Sequence, residues 1–395
     1  MMSSEKIVCL ELGTGKVASL LVEEGEISKL EVSSSLGMKA GKIINVERQV
    51  QSVKEVLSKV IGEGKGNFSL WVGLSGSYFK VDRVKASIEI PFPEEEIGEK
   101  EVKKLLNLAQ EEKRRGGAWE VVHSLPLSYQ VGKIEGIENP LYMQGDSLTA
   151  EIVIVLGLST SLDTVVRCIN KAGYKVDNLC FLPLVEGESV LYPEEREMGV
   201  VLVDIGEGTT DMSIYQKGKF QYGWVLNYGG SNFTRRIASV FHIPLAEAER
   251  VKKEKGSVLR YLVNNSEVTV NTPHGSRVLN TLDVSQVLEE EAEGWISKIL
   301  DILKPYLPSL SSGIVITGGG ALLKGLKEIM EERTQLPVRI GSPFLEIPPL
   351  LPLPSLSGIV GLYLWSKRKE IVFPSRRKWY KELITKVVRW FREKI

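Results

Sequence analysis

The chain repeats one short pattern: an apolar strand, a Gly–Thr turn and a second strand, first over residues 7–22 and again over 199–215. Short apolar runs closed by turn residues are what buried strands look like in sequence. In the first copy, Ile7 to Leu12 leads into Gly13-Thr14-Gly15 and then Val17 to Val22, with a third strand over Ile27 to Val32. In the second, Gly199 to Asp204 runs into Ile205-Gly206-Glu207-Gly208-Thr209-Thr210-Asp211 and a strand over Met212 to Tyr215. A third glycine turn, Gly318-Gly319-Gly320, separates a strand at Ile314 to Thr317 from a helix at Ala321 to Arg333. The pattern predicts a two-lobed α/β chain in which each lobe contributes a Gly-rich turn.

The segments between these turns differ in texture. Val46 to Ile61 places Val46, Val50, Val53, Leu57 and Val60 on one helical face, and Leu70 to Leu74 reads as a strand. From about Val81 the order becomes a strand (Ser87 to Ile90), a helix from Glu94 to Arg114, then strands at Glu120 to Ser124 and Thr149 to Leu156. That order predicts a small α+β insertion rather than more of the same sheet. Leu162 to Ala172 reads as a helix ended by Gly173, and residues 231–306 as mostly helical with a short β region.

Composition narrows the class. The 395 residues are 43% apolar and 25% charged, which excludes a mostly disordered chain, a collagen and a coiled-coil rod. Fifty basic residues against fifty acidic ones argue against a globally basic nucleic-acid binder, and no nucleic-acid partner is expected. Three cysteines without a CxxC pair argue against a disulfide framework or a zinc site and fit a reducing compartment. The first apolar stretch, Ile7 to Leu12, has five apolar residues and is broken by Glu11, too short for a signal peptide. Ile347 to Ser366 carries no charge, but Pro348, Pro349, Pro352 and Pro354 argue against a membrane-spanning helix there.

The zero net charge hides two opposed parts. Residues 376–395 hold eight basic and two acidic residues, a net +6 that leaves −6 on the rest. Tyr380, Leu383, Ile384, Val387, Val388, Phe391 and Ile395 follow helical spacing, with Trp379 and Trp390 at the border of the stripe. Lys378, Lys386, Arg389 and Arg392 fall largely elsewhere around the wheel. A basic amphipathic helix with Trp and Phe suits a membrane interface, where each Lys or Arg near an anionic surface adds about 1 kcal/mol. The other reading is a terminal helix packing its stripe on the body. Charge excess and terminal position favour the membrane.

Each glycine turn has a chemical and a structural reading. Glu11-Leu12-Gly13-Thr14-Gly15-Lys16 fails the P-loop pattern because Leu10 and Val17 stand at required Gly and Ser/Thr positions. Its successive N–H groups and Lys16 can still wrap a phosphate, or the turn is a plain hairpin. In the second, Asp204 ends a buried strand and can hold Mg²⁺ through water, while Gly206 and Gly208 admit phosphate and Thr209 and Thr210 donate to it. Asp, two Gly and two Thr together favour function. Gly318, Gly319 and Gly320 let a flat ligand group lie on backbone at a helix start, or make a tight corner. His123, His242 and His274 lack metal-like spacing, and Trp71 and Trp295 read as core or interface.

Taken in order, the three turns resemble the two phosphate motifs and the adenosine motif of the actin/Hsp70/sugar-kinase ATPase superfamily. His123-Ser124-Leu125-Pro126-Leu127-Ser128-Tyr129 and Glu135 to Gly145 resemble the SHS2-type subdomain 1C of FtsA, the bacterial cell-division branch. Lys171-Ala172-Gly173-Tyr174 and Pro337-Val338-Arg339-Ile340-Gly341 are similar to FtsA as well, so the resemblance spans nearly the whole chain. It implies subdomain 1A over residues 5–81, completed by 165–198 and 346–373, and 1C over 82–164. Subdomain 2A is then 199–229 with 307–345, subdomain 2B is 230–306, and 374–395 is the membrane-targeting helix.

The resemblance also implies ATP or ADP with Mg²⁺ in the cleft. Gly13, Thr14, Gly15, Lys16, Gly206, Gly208, Thr209 and Thr210 would hold phosphates, and Asp204 with Glu11 the metal shell. Glu249, Lys252 and Gly318 to Gly320 would hold the nucleoside; by spacing alone, Glu249 and Lys252 are equally a surface i,i+3 pair. It further implies filaments, the C-terminal peptide of the tubulin-like protein FtsZ on subdomain 2B, and a place on the cytoplasmic face of the membrane at the division site. Hydrolysis is expected to be slow at most. Alternatives are a PilM-like pilus-assembly platform and a small-metabolite kinase. Three departures stand out: Glu11 where the family has Asp, Glu207 where it has Gly, and acids at Glu186 and Glu188 where FtsA has small residues.

Overall fold

The structure is a computed structural model that describes residues 6–62, 67–114, 117–345 and 353–368. β1 (Lys6–Leu12), β2 (Lys16–Glu23) and β3 (Glu26–Ser34) form an antiparallel meander. A short hairpin of β4 (Met38–Lys39) and β5 (Lys42–Ile43) leads into α1 (Val46–Ile61). The Asn45 side chain caps that helix, accepting from the Arg48 N–H at 3.0 Å. Its face of Val53, Val56, Leu57 and Val60 is fully or nearly fully buried. β6 (Phe68–Leu74) then adds to β1 in parallel, with Glu11 opposite Gly73.

The insertion follows: β7 (Phe79–Glu89), α2 (Glu99–Arg114), β8 (Trp119–Val131), β9 (Ile134–Ile137) and β10 (Ser147–Leu158). Its antiparallel sheet has the order β7-β10-β8-β9. Leu105, Leu106, Leu148, Ile152 and Ile154 belong to a core of its own. The helix begins at Glu99 rather than at the expected Glu94. Pro91 and Pro93 remove backbone donors ahead of it, and the Glu101 carboxylate accepts from the Gly98 N–H at 3.0 Å where the helix starts. α3 (Ser159–Lys171) returns the chain to β11 (Asn178–Phe181), parallel to β6, and α4 (Leu182–Val185), α5 (Gly187–Val190) and α6 (Pro193–Met198) cross to the second lobe.

That lobe repeats the first. β12 (Val200–Ile205), β13 (Thr210–Gln216) and β14 (Lys219–Leu226) form the meander. α7 (Gly230–Phe241), α8 (Leu245–Lys255), the hairpin β15 (Glu267–Thr272) and β16 (Gly275–Asn280), and α9 (Thr281–Leu303) follow. β17 (Ile314–Thr317), α10 (Leu326–Thr334) and β18 (Val338–Ile340) complete the lobe. The strand orders, β3-β2-β1-β6-β11 and β14-β13-β12-β17-β18, are the same in sequence order and in direction: three antiparallel strands, then two parallel ones.

The helix expected over Ala321 to Arg333 is split: a 3₁₀ turn covers Gly319–Leu322, and α10 starts after Gly325, whose φ of 83° no β-branched residue would accept cheaply. α11 (Ser357–Ser366) answers the uncharged stretch near residue 350. It lies under lobe 1 with Ile359, Val360, Leu362 and Trp365 buried. Among the described residues no helix is long and apolar enough to cross a membrane. The basic helix expected at 376–395, including Trp379, Tyr380 and Trp390, lies outside the described residues.

Candidate functional site

The three glycine turns converge between the lobes. In lobe 1, the Gly13 N–H donates to the Lys16 carbonyl at 2.9 Å, closing the hairpin, and Thr14 Oγ1 accepts from the Gly41 N–H at 2.9 Å. Lys16 Nζ pairs with Glu11 Oε1 at 2.9 Å and also donates to the Ser355 carbonyl. In lobe 2, the Gly206 N–H donates to the Thr209 carbonyl at 2.9 Å. The start of α7 rests on that turn, Gly230 N–H on the Gly206 carbonyl at 2.9 Å and Ser231 N–H on Glu207 at 2.8 Å. Gly318 has φ of 81°, and a Cβ there would lie 2.0 Å from Asp204 Oδ1. Only glycine fits that approach.

Two adjoining cavities result. One, of about 280 Å³, is lined by Glu11, Gly13, Lys16, Asp204, Asp211 and Gly318 among others. The second, of about 610 Å³, is lined by Gly230, Glu249, Lys252, Gly320 and Leu323 among others. Gly206, Glu207 and Gly319 line both. Glu249 and Lys252 are joined at 2.7 Å, and Lys252 Nζ also donates to the Gly230 carbonyl at 2.9 Å. Burial opposes the charge on Glu249, yet hydrogen bonds from Lys252 and Thr234 hold its carboxyl below the ordinary range.

The smaller cavity is strongly acidic. Burial, with the nearby charge of Glu11, pushes the Asp204 carboxyl up to about 6 against the opposing pull of Glu186 and Lys16. Burial also pushes Asp211 well above the carboxylate range, with the charge of Asp204 adding. Glu186 is pushed up in the same way by burial and by Asp204 and Asp211, and shares a hydrogen bond with Asp204. Glu11 Oε2 and Asp211 Oδ1 are buried without a hydrogen-bond partner. Five carboxylates, those of Glu11, Glu186, Asp204, Glu207 and Asp211, thus line a cavity with one ammonium, Lys16, an arrangement that fits a bound cation. Among the described residues no group of three or more His, Cys, Asp or Glu side chains is placed to hold a metal directly. Carboxylate oxygens of this kind could hold a Mg²⁺ that keeps its waters.

Most residues singled out in the sequence line these cavities. Gly208 instead packs under Thr14, where a Cβ would meet the Thr14 methyl at 2.7 Å. Thr210 turns away: its hydroxyl donates to the Tyr228 carbonyl at 2.7 Å and accepts from Trp295 Nε1 at 3.1 Å, deep in the lobe 2 core. Strand alternation explains this, because Thr210 lies opposite Ile205 at the base of the hairpin. Asp211, Glu186, Gly41, Ser75 and Ser355 line the site without having been assigned to it. Asp211 and Glu186 carried a signal as acids within or beside the motifs; Gly41 and Ser355 are brought in by folding alone. Glu207 leans across the cleft, so that a Cβ on Gly15 would meet its Oε2 at 1.9 Å. Glu11, one methylene longer than Asp, reaches α11, where a Cβ on Gly358 would lie 2.9 Å from its Oε2. His123 is buried and accepts from the Phe181 N–H at 3.0 Å, and Trp295 is in the core.

Two like sheets facing one cleft, with glycine turns from both, define an actin-like protein, and solved structures agree on the fold. A chain of a PilM–PilN type IV pilus biogenesis complex matches with a TM-score of 0.66 at 17% identity, over 93% of this chain and 99% of that one. MreB5 of Spiroplasma citri bound to ADP matches at 0.58 and 14% identity, over 92% and 97%. A chain of the MamK double helical filament matches at 0.56 and 12%, over 92% and 99%. The family model for cell division protein FtsA matches residues 201–359, and that for the SHS2 domain inserted in FtsA matches 76–156. FtsA of Borreliella burgdorferi is 32% identical over 356 residues, 87% of this chain and 86% of that protein. FtsA of Escherichia coli K12 is 30% identical over 387 residues, 92% and 91%. The chain belongs to the FtsA family of actin-like cell-division proteins.

Proposed function

We propose that this protein binds ATP or ADP with Mg²⁺ between its lobes, assembles into filaments on the cytoplasmic face of the membrane at the division site, and tethers the FtsZ ring there. The observation that carries the nucleotide reading is the pair of adjoining cavities, one acidic and glycine-lined, the other holding Glu249 and Lys252. Phosphates lie against the turns of Gly13–Lys16 and Gly206–Thr209, with Lys16 donating to them. Glu249, Lys252 and Gly318–Gly320 hold the nucleoside. A hydrated Mg²⁺ near Asp204 and Glu11 offsets the charge of phosphates and carboxylates. The ADP-bound actin-like relative supports the nucleotide, and the filament of another supports self-association. No residue singled out in the sequence stands out as a base that positions water, so hydrolysis is slow at most and nucleotide acts as a switch.

The subdomain limits proposed are 1A over 5–81, 165–198 and 346–373, 1C over 82–164, 2A over 199–229 and 307–345, and 2B over 230–306. Subdomain 2B takes the FtsZ peptide, and residues 376–395 take the anionic membrane. The full chain is expected to co-sediment with anionic liposomes and to capture an FtsZ C-terminal peptide. A chain lacking 376–395 should lose the first and keep the second. Liposome binding that survives the deletion overturns the membrane reading. Failure to capture the peptide turns the reading toward a pilus-type platform or a metabolite kinase.

A further inference from the structure

A groove of about 520 Å³ opens where the insertion meets both lobes. Its insertion wall holds Leu106, Leu125, Leu127 and Leu141, and its body wall holds Phe220 of lobe 2 and Trp365 at the end of α11. Lys219 closes one side, donating to the Leu127 carbonyl at 2.7 Å. Such a volume with an apolar lining is within the range that holds a ligand or a short peptide.

The described chain ends in this groove. Arg368 lines it, lies over the Trp365 ring at 4.7 Å, and is held by Glu188 Oε2 at 2.8 Å. The other oxygen of Glu188 takes Arg196 at 3.1 Å. Glu188 is one of the acids that set this chain apart from FtsA at the level of sequence, and here it fixes the point from which the chain continues. The next residues are Lys369-Glu370-Ile371-Val372-Phe373-Pro374, followed after Ser375 by the basic run Arg376-Arg377-Lys378.

We propose that Ile371 to Phe373 of the same chain dock in this groove. Phe373 lies five positions beyond Arg368, a reach of at most about 18 Å, so an occupant starting at Arg368 stays within the groove's neighbourhood. Pro374 disfavours helical backbone at Phe373, and β-branched Ile371 and Val372 suit an extended segment. In an extended segment Ile371 and Phe373 would share one side, the side that would face the leucines of the insertion wall. Glu138, exposed at the rim, complements the flanking cations. Docking would set where the basic helix leaves the body and tie the insertion's position to it.

The test uses the full chain without lipid, so its failure is separate from failure of the membrane reading. Cys9, Cys168 and Cys180 are buried, which leaves introduced thiols to react. In the double variant L141C/F373C, a short bismaleimide is expected to form an intramolecular cross-link about tenfold faster than in V278C/F373C, whose first site lies on the exposed face of β16. Adding L127E, or I371E in a segment whose change leaves the body's packing intact, should remove that advantage. Equal rates at the two pairs, or an advantage untouched by I371E, overturn the proposal. A cross-link that forms between chains and grows with concentration assigns the groove to a second copy and overturns it as well.

Discussion

In lobe 1, β1 and β2 turn through Gly13-Thr14-Gly15, and the hairpin's cation, Lys16, is paired at 2.9 Å with the hairpin's own acid, Glu11. In lobe 2, β12 and β13 turn through Gly206 to Thr209 with Asp204 and Asp211 directly opposite each other. The sheets share one plan, so the difference lies in what each turn leaves unbalanced. The first turn offers a donor already held in place; the second accumulates negative charge that burial makes costly. A phosphate chain with a hydrated cation would satisfy both at once. The halves also take their extra subdomains at different points, lobe 1 between β6 and β11 and lobe 2 between β14 and β17, which leaves both turns facing the same cleft.

The largest effect should come from removing one of the carboxylates that lobe 2 gathers. Asp204→Ala is expected to lower Mg²⁺-dependent ATP affinity by about 100-fold, the upper range for residues that orient a metal's shell. Lys16→Ala should cost about tenfold, the scale of one charge-assisted hydrogen bond, and keep the Mg²⁺ dependence. Calorimetric titration with and without Mg²⁺ separates the two. Unchanged affinity in Asp204→Ala would sink the site assignment.

A smaller contrast concerns the glycines themselves. An alanine at Gly318 combines φ of 81° with a Cβ 2.0 Å from Asp204 Oδ1 and 2.6 Å from the Ile205 carbonyl, so backbone must move. Gly318→Ala should destabilise the protein by roughly 2–4 kcal/mol. Gly15→Ala meets the side chain of exposed Glu207 rather than backbone, its Oε2 at 1.9 Å and its Cβ at 3.1 Å. Its cost should stay near or below about 1 kcal/mol and vanish in Gly15→Ala/Glu207→Gly. Denaturant melts measure both, and an equal cost at the two glycines would break the distinction between the lobes.

The same contrast shows what can be read from sequence. Both hairpins were legible because each is local: apolar run, glycine turn and apolar run lie within one short stretch. Assigning Thr210 to phosphate failed because the motif's residues alternate faces, and only the register with Ile205 decides which hydroxyl reaches the cleft. Ser355 was out of reach, since it comes to Lys16 only through the return of the chain to lobe 1. α11 posed a membrane question in sequence because a helix buried on every side is uncharged for the same reason a membrane helix is. The long strand β8 appeared only as its first part, Glu120 to Ser124, because Pro126 and Ser128 interrupt the apolar pattern beyond it.

The mildest test of the comparison uses pH. Because burial raises the Asp204 carboxyl to about 6, and lifts Asp211 and Glu186 too, the folded protein holds protons that the unfolded chain releases near pH 4. Such groups favour the folded state below their unfolded pKa, and that contribution is lost as pH rises through the folded value. Without divalent cation, the melting temperature should therefore fall by on the order of a few degrees between pH 5 and pH 7.5. Saturating Mg²⁺ with ADP should flatten the slope, since bound cation favours the charged carboxylates that lobe 2 gathers. In Asp204→Asn the cation-free slope should shrink, whereas Lys16→Met, which leaves the lobe 2 acids in place and removes their cation, should steepen it. A melting temperature that rises across this range without Mg²⁺ would mean that the lobe 2 turn is not the unbalanced half.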